Sequence, residues 1–170
     1  IFDLWMNILK KVPNSVFWIA ISNSYALENI KLEAKKRGVD EKRIIIAKKI
    51  PIDEHLKRIE LADLFLDTFP YSAHTIASDT IRMGVPIITM TGECFASRAA
   101  ASVLNQVNLK ELVVNNKEDY QNLAIDLANN KSKLNEIKNN LKNSLKNTLL
   151  YNSKKFTKNL EDVYIKLLNK

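Results

Sequence analysis

Short apolar runs alternate with segments of helical period along most of the chain, and this alternation limits the fold more than any other feature. The runs have strand length and contain many β-branched or aromatic residues: Val16–Ala20, Arg43–Ala47, Leu64–Asp67 and Val85–Met90. Between them, apolar residues recur every three or four positions, a spacing that predicts amphipathic helices. Strands that alternate with helices form parallel sheets, because each helix carries the chain back to the edge where the next strand begins. The sequence therefore predicts an α/β fold, a Rossmann-like parallel sheet flanked by helices.

The length and composition are those of about one globular domain. The chain has 170 residues, of which 46% are hydrophobic and 26% charged, so it can build one substantial core. We predict a Rossmann-like core over residues 1–115 and C-terminal helices over residues 116–170 that complete the same domain. These last helices are predicted near Lys117–Asn129, Lys131–Leu149 and Ser153–Leu168.

The net charge of +7 is concentrated near the end of the chain. Residues 115–170 contain 11 Lys, no Arg and 6 acidic residues, a balance of +5. Nucleic-acid binding favours Arg with interleaved aromatic residues, so we expect these lysines to form a solvated helix face and expect no nucleic-acid partner. DNA binding through this basic tail remains an alternative, and it predicts a steep dependence on salt.

Hydropathy and cysteine content indicate the cellular setting. The sequence contains no run of about 18 apolar residues, so no membrane span is expected. The chain does not open with a basic segment followed by an apolar one, so no secretion signal is expected. The single cysteine, Cys94, cannot form an internal disulfide or a multi-cysteine metal site. We therefore predict a cytoplasmic protein without a metal site.

The helix predicted to start near His74 has the composition of an anion site. Open α/β sheets bind ligands at the carboxyl ends of their strands, and this helix follows one such end. Small or hydroxyl-bearing residues open it, and the free N–H groups of a helix start attract phosphate. Thr75 adds a hydroxyl donor, and Asp79, one turn later, can accept hydrogen bonds from a ribose. An ordinary capped helix with a solvated Asp79 explains the residue types equally well.

A second candidate lies after the next strand end towards the N-terminus. His55 and Arg58 are three residues apart and share one helix face. An imidazole can stack on a base, and a guanidinium offers fixed donors to carbonyl or phosphate oxygens. In isolation, a surface histidine and an arginine paired with Glu54 is the favoured interpretation. A metal site at His55 is not expected, because a second ligand at a useful spacing is missing from the sequence.

The loop after Met90 contains weaker candidates for ligand binding. Gly92 permits a tight turn, while Glu93 and Arg98 either contact a ligand or pair with each other, and the structural role is favoured. Cys94 is not assigned as a nucleophile, because its sequence neighbourhood contains no histidine to act as a base.

Several motifs in one order resemble the O-GlcNAc transferase family, which includes the plant Spindly-type protein O-fucosyltransferases and many bacterial relatives. The motifs are Leu66–Tyr71, His74-Thr75, Asp79, Met83–Pro86, Thr89-Met90 with Gly92-Glu93, and Ala96–Arg98. The similarity extends upstream and spans nearly the whole chain. The resemblance implies the C-terminal half of a GT-B glycosyltransferase, the half that holds the nucleotide-sugar donor, with extra C-terminal helices.

The resemblance also implies a role for individual residues around a UDP-sugar. A base site is implied at Ile50, Ile52, His55 and Arg58. A diphosphate site is implied at His74, Thr75 and Ile76. Asp79 is implied to bind the ribose, and Tyr71 to line the sugar side of the pocket. A catalytic base for the acceptor hydroxyl is not assigned to any residue of the chain.

The implied function is that of a donor-binding domain in a protein O-glycosyltransferase that transfers a sugar such as GlcNAc to Ser or Thr. The UDP-sugar is its donor substrate, and no other cofactor is expected. A protein acceptor is expected to bind through a catalytic domain and tetratricopeptide repeats preceding Ile1. Ile76 and Ile52 depart from the Thr and Lys common in the family, which favours an alternative: a catalytically inactive nucleotide-sugar-binding or regulatory module.

Overall fold

The computed structural model describes residues 1–169 of the chain. Its helices are α1 (Phe2–Lys11), α2 (Ser24–Lys36), α3 (Ile52–Ile59), α4 (Thr75–Arg82), α5 (Ala99–Gln106), α6 (Lys117–Asn129), α7 (Lys131–Asn147) and α8 (Ser153–Leu168). Its strands are β1 (Phe17–Ala20), β2 (Ile44–Ala47), β3 (Phe65–Leu66), β4 (Ile87–Met90) and β5 (Val113–Val114). Single 3₁₀ turns lie at Glu41–Arg43, Phe95–Ser97 and Lys110–Leu112. Strands and helices alternate as far as β5, as the sequence predicts.

All strand pairs are parallel. β1 pairs with β2, in a register that places Phe17 opposite Ile44. The other strands follow the order β3-β4-β5. The α/β fold with parallel strands flanked by helices is thereby confirmed. The division into a pair and a triplet is not predicted, because apolar periodicity locates strands but does not determine which strands pair.

β4 lies at the centre of the core. All four of its residues are buried, and Ile87 and Ile88 are fully enclosed. A central parallel strand is covered on both faces by helices, which explains why three of the four residues of β4 are apolar. α5 and α6 both contact β4, and their Leu104 and Tyr120 are also fully buried. The loops that follow β3 and β4 therefore start at the edge of a well-packed core.

Helix α4 ends in a tight turn that leads directly into β4. Gly84 has a φ of +78°, a left-handed conformation that favours glycine after the last helical turn. Its N–H donates to the Ile81 carbonyl, and the Val85 N–H donates to the Thr80 carbonyl. The turn therefore fixes α4 beside the central strand.

The C-terminal helices differ in burial. α6 and α7 join the same core as β4, through Tyr120, Leu127, Ile137 and Leu141. Every residue of α8 is exposed. The Tyr151 hydroxyl, which precedes α8, donates to the Ser78 carbonyl of α4 over 2.7 Å. The boundary after residue 115 stays a prediction. Each helix within residues 1–169 is too short or too polar to cross a membrane.

Candidate functional site

Asp67 organises the loop that leads from β3 to α4. Its side chain is 1% exposed. Its Oδ1 accepts hydrogen bonds from the N–H groups of Thr68 (2.8 Å) and Ala73 (2.7 Å), and its Oδ2 accepts one from the Thr89 hydroxyl (2.6 Å). Burial raises the pKa of Asp67, while these three donors act in the opposite direction. One carboxyl group therefore holds both ends of the loop and ties it to β4.

Two buried aromatic side chains form a hydrogen-bond chain to the carboxyl end of β3. The Tyr120 hydroxyl donates to the Asp67 carbonyl over 2.8 Å and accepts a hydrogen bond from Trp5 Nε1 over 3.2 Å. Burial raises the pKa of Tyr120, so its hydroxyl keeps its proton and remains a donor. This chain of hydrogen bonds links α1 and α6 to the backbone of the candidate site.

The loops after β3 and β4 are joined at one carbonyl group. Ala96 O accepts hydrogen bonds from the Ser72 N–H (2.9 Å), the Ser72 hydroxyl (2.7 Å) and His74 Nε2 (3.3 Å). The absence of a side chain at Gly92 allows the two loops to approach each other closely. A Cβ at this position would lie 2.7 Å from Ser97 Oγ and 3.2 Å from the Phe69 ring. The loop after β4 therefore forms part of the candidate site.

Helix α4 begins at Thr75, at the end of the loop from β3. His74 is its N-cap, and within residues 1–169 no side chain caps the helix. The first N–H groups of an uncapped helix lack partners and carry partial positive charge. Thr75 and Ile76 are exposed, while Ala77 is fully buried. The exposed start of the helix is therefore formed by Thr75 and Ile76, and Ala77 is not accessible from solvent.

His74 is oriented by its neighbours on two sides. Its hydrogen bond to Ala96 O makes Nε2 the donor, so the neutral ring leaves Nδ1 without a proton. Its ring stacks on Tyr71, with centroids 4.9 Å apart and an angle of 9° between planes. Tyr71 is 64% exposed. Asp79, one turn further along α4, is partly exposed, so its carboxylate is accessible to a ligand.

The second predicted cluster lies on α3 and is held by Arg58. Arg58 Nε donates to His55 Nδ1 over 3.0 Å, and Nη1 donates to the Lys48 carbonyl over 2.6 Å. The guanidinium lies 5.8 Å from the centroid of the Trp18 ring. The pairing of Arg58 with Glu54, favoured for this motif in isolation, is therefore wrong. The accepting Nδ1 places the proton of a neutral His55 on Nε2.

Helices α3 and α4 contact each other, so the two clusters share one side of the molecule. Ile50 is partly exposed just before α3, and Ile52 is the first residue of that helix and 62% exposed. We refer to residues 48–58 as the α3 segment and to residues 67–79 as the α4 segment. The site residues predicted from the sequence belong to these two segments by position, and the structure adds that the helices α3 and α4 are in contact.

The loop after β4 carries Cys94, Glu93 and Arg98. The Ser97 hydroxyl lies 3.4 Å from Cys94 Sγ, and this contact lowers the pKa of the exposed thiol. Within residues 1–169, no ion pair joins Glu93 to Arg98. The same part of the chain contains no cluster of three or more side chains able to hold a metal ion.

Comparison with known proteins decides the family. A model of glycosyl transferase family 41 matches residues 1–160. The chain belongs to this family. The resemblance to O-GlcNAc transferases that the sequence motifs indicate is thereby confirmed.

The individual proteins that resemble the chain are much longer, and the chain spans only a small part of each. The probable UDP-N-acetylglucosamine–peptide N-acetylglucosaminyltransferase SEC of Arabidopsis thaliana is 35% identical over 99% of the chain, which spans 17% of that protein. The UDP-N-acetylglucosamine–peptide N-acetylglucosaminyltransferase of Caenorhabditis elegans is 30% identical over 95% of the chain, and the chain spans 14% of that protein. A mutant O-GlcNAc transferase from Thermobaculum terrenum has a similar structure, with a TM-score of 0.90 and 29% identity over 96% of the chain; the chain covers 32% of it.

Three contributions to the site in this family 41 chain are not predicted from the sequence: the buried carboxyl of Asp67, the carbonyl of Ala96 and the exposed ring of Phe95. The hydrogen bonds between Asp67 and Thr89, and those between Ala96 and Ser72 or His74, join residues distant in sequence, so they leave no local pattern. Phe95 gives one signal, since it is a large apolar residue in a loop of small and polar ones. Its exposed fraction is 76%.

Proposed function

We propose that the chain is the donor-binding part of a UDP-sugar-dependent protein O-glycosyltransferase with a GT-B architecture. The observation that carries this proposal is the uncapped start of α4, which is held by Asp67 and Ala96 next to a helix bearing His55 and Arg58. Family membership supports a glycosyltransferase domain. The names of the relatives point to UDP-N-acetylglucosamine as a donor.

The diphosphate of the donor is proposed to bind at His74, Thr75 and Ile76. When the sugar leaves, negative charge grows on the β-phosphate. Preoriented N–H groups and the positive end of a helix dipole stabilise such charge without reorganisation. Thr75 contributes its amide and its hydroxyl, whereas Ile76 contributes an amide alone. These groups stabilise the departing UDP without a metal ion.

The nucleoside is proposed to lie between α4 and α3. Asp79 accepts hydrogen bonds from the ribose hydroxyls, and the His55 ring stacks on the uracil. Arg58 holds His55 in place, and the backbone at Ile50 and Ile52 contacts the edge of the base. This arrangement matches the geometry, since α3 and α4 are neighbours and both helices start at the carboxyl ends of strands.

The acceptor is proposed to be a Ser or Thr hydroxyl of a protein, positioned by parts of the enzyme beyond this chain, including tetratricopeptide repeats. The names of the relatives describe peptide acceptors. A general base is not assigned to any residue here. We therefore expect the 170-residue chain to bind UDP and to transfer no sugar by itself. A cytoplasmic location stays a prediction from the sequence.

Calorimetric titration with UDP tests the nucleotide site. Asp79→Asn and His55→Ala are each expected to weaken UDP binding about tenfold, the equivalent of one or two lost hydrogen bonds or a lost stacking contact. Asp162→Asn and Lys57→Ala are matched controls, because both side chains are exposed, one on α8 and one on α3. Unchanged affinity in both site variants would rule out the proposed site.

A second candidate function is a nucleotide-sugar-binding module without turnover. The observation that favours it is Ile76, whose apolar side chain is 55% exposed beside the proposed diphosphate site. It leaves that position with one donor instead of two. Sugar transfer by the complete open reading frame, measured with radiolabelled UDP-GlcNAc and a protein acceptor, distinguishes the two. Ile76→Thr is expected to increase UDP affinity in either case.

A further inference from the structure

Three aromatic rings form an exposed corner beside the start of α4. Tyr71 stacks on His74 with an angle of 9° between planes. Phe95 meets His74 almost at a right angle, 86°, with centroids 5.8 Å apart. The Phe95 ring therefore stands steeply to both other rings. We call Tyr71, His74 and Phe95 the aromatic corner.

The corner is rigidly connected to the proposed diphosphate site. Phe95 precedes Ala96, whose carbonyl accepts hydrogen bonds from Ser72 and His74. Gly92, three residues before Phe95, lies where an added Cβ would meet Ser97 and the Phe69 ring, and the Phe95 carbonyl accepts a hydrogen bond from the Arg98 N–H. Phe95 is 76% exposed, although its backbone is fixed. An exposed ring on a fixed loop is preorganised to contact a ligand.

We propose that Phe95 binds the sugar ring of the donor and contributes to the choice between a nucleotide sugar and a free nucleotide. This inference rests on the proposed function. In a UDP-sugar, the sugar is joined to the β-phosphate by a single oxygen. A sugar whose phosphate lies at His74 and Thr75 is therefore close to the aromatic corner.

The chemistry of the corner suits a pyranose better than a flat base. The face of an aromatic ring carries partial negative charge, and it attracts the weakly positive C–H groups on the faces of a sugar. A pyranose is thick and puckered, so two steeply inclined planes can contact it from two directions. A flat base needs parallel surfaces, and His55 on α3 is proposed to offer one.

The test compares two ligands on variants of the 170-residue chain. UDP and UDP-GlcNAc are titrated into the wild type, Phe95→Ala and Phe95→Trp. Phe95→Ala is expected to weaken UDP-GlcNAc binding roughly three- to tenfold, the size of one aromatic contact, and to change UDP binding less than twofold. Phe95→Trp is expected to keep the preference. Phe156→Ala is the matched control, since Phe156 is 65% exposed on α8.

The outcomes separate this inference from the proposed function. If Phe95→Ala changes both ligands equally, or leaves both unchanged while UDP still binds, the role of Phe95 is disproved and the nucleotide site stands. If the wild type binds neither ligand, the proposed function fails and the inference fails with it. If the aromatic corner instead contacts another protein, Phe95→Ala leaves the preference between the two ligands unchanged, and the role of Phe95 in sugar binding is likewise disproved.

The single cysteine provides a second measurement that needs no substitution. Cys94 is exposed and adjacent to Phe95, so its alkylation by iodoacetamide, followed by mass spectrometry, reports on the corner. A bound sugar is expected to slow alkylation at least threefold more than UDP alone does at equal saturation, because it covers the loop. Equal protection by both ligands would argue against contact between the sugar and this loop.

Discussion

The α4 segment and the α3 segment both carry a histidine after a parallel strand, yet the protein holds them in different ways. In the α4 segment, buried Asp67 and the Ala96 carbonyl bind the backbone of the loop. In the α3 segment, every residue of the helix is exposed or partly exposed, and the surface side chain of Arg58 makes the connection. The proposed phosphate half is therefore connected to the core, whereas the proposed base half is attached to its surface.

Removal of the buried carboxyl should produce the largest effect. Asp67→Ala leaves three hydrogen-bond donors without their acceptor, so the free energy of unfolding is expected to fall by about 3–5 kcal/mol. Urea denaturation measures it. Asp53→Ala, at the exposed start of α3, is the matched control and should have a small effect. Similar losses in both variants would remove the distinction between the two segments.

Loss of the Tyr120 hydroxyl, which bonds the Asp67 carbonyl, should lower the free energy of unfolding by less than loss of the Asp67 carboxyl does. Tyr120→Phe removes the hydroxyl that bonds the Asp67 carbonyl and leaves Trp5 Nε1 without an acceptor. Unfolding free energy is expected to fall by about 1–2 kcal/mol, as measured by urea denaturation. Tyr25→Phe, at a tyrosine that is 77% exposed, serves as control. A Tyr120→Phe variant as stable as the wild type would contradict the proposed support.

The α3 segment should respond in binding rather than in stability. Arg58→Lys cannot bond His55 and the Lys48 carbonyl in the same fork geometry. We expect roughly fivefold weaker UDP binding, about 1 kcal/mol, and little change in unfolding. Calorimetry measures the first and thermal denaturation the second. Arg82→Lys, at the end of α4, is the control. A large loss of stability in Arg58→Lys would show that this segment too belongs to the core.

The smallest expected effect is a pH dependence confined to the α4 segment. Burial raises the pKa of Asp67, so the folded state binds this proton more tightly than the unfolded state. The resulting stability is present below the unfolded pKa of about 3.9 and is lost as the pH rises through the higher folded value. Asp67→Asn removes this titration while keeping the shape.

The unfolding free energies of the wild type and of Asp67→Asn should therefore be compared at several pH values from 4 upward. Relative to Asp67→Asn, the wild type is expected to lose unfolding free energy as the pH rises, because all other titrating groups are common to both. A constant difference between the two would mean that the carboxyl titrates alike in the folded and unfolded states.

Much of the fold was predictable because its signals are local. The Ile44–Ala47 and Ile87–Met90 runs indicate buried parallel strands, and the helix over residues 117–129 lies where its period predicts. Strand pairing was not predictable, since it depends on contacts distant in sequence. Within α3, Arg58 bonds His55 and not the expected Glu54, because both residues lie within one helical turn of Arg58 and spacing alone does not choose between them.

The α/β class, the helices near the two histidines and the family could be inferred from the order of the residues, because periodicity and ordered motifs lie along the chain. The other features of the site depend on tertiary contacts. It buried Asp67 at the junction of β3, β4 and the loop, joined Ser72 and His74 to Ala96, and exposed Phe95 beside them. These features arise where loops from separate strands meet at one edge of the sheet, and hydrogen bonds across such a junction have no counterpart in the order of the residues.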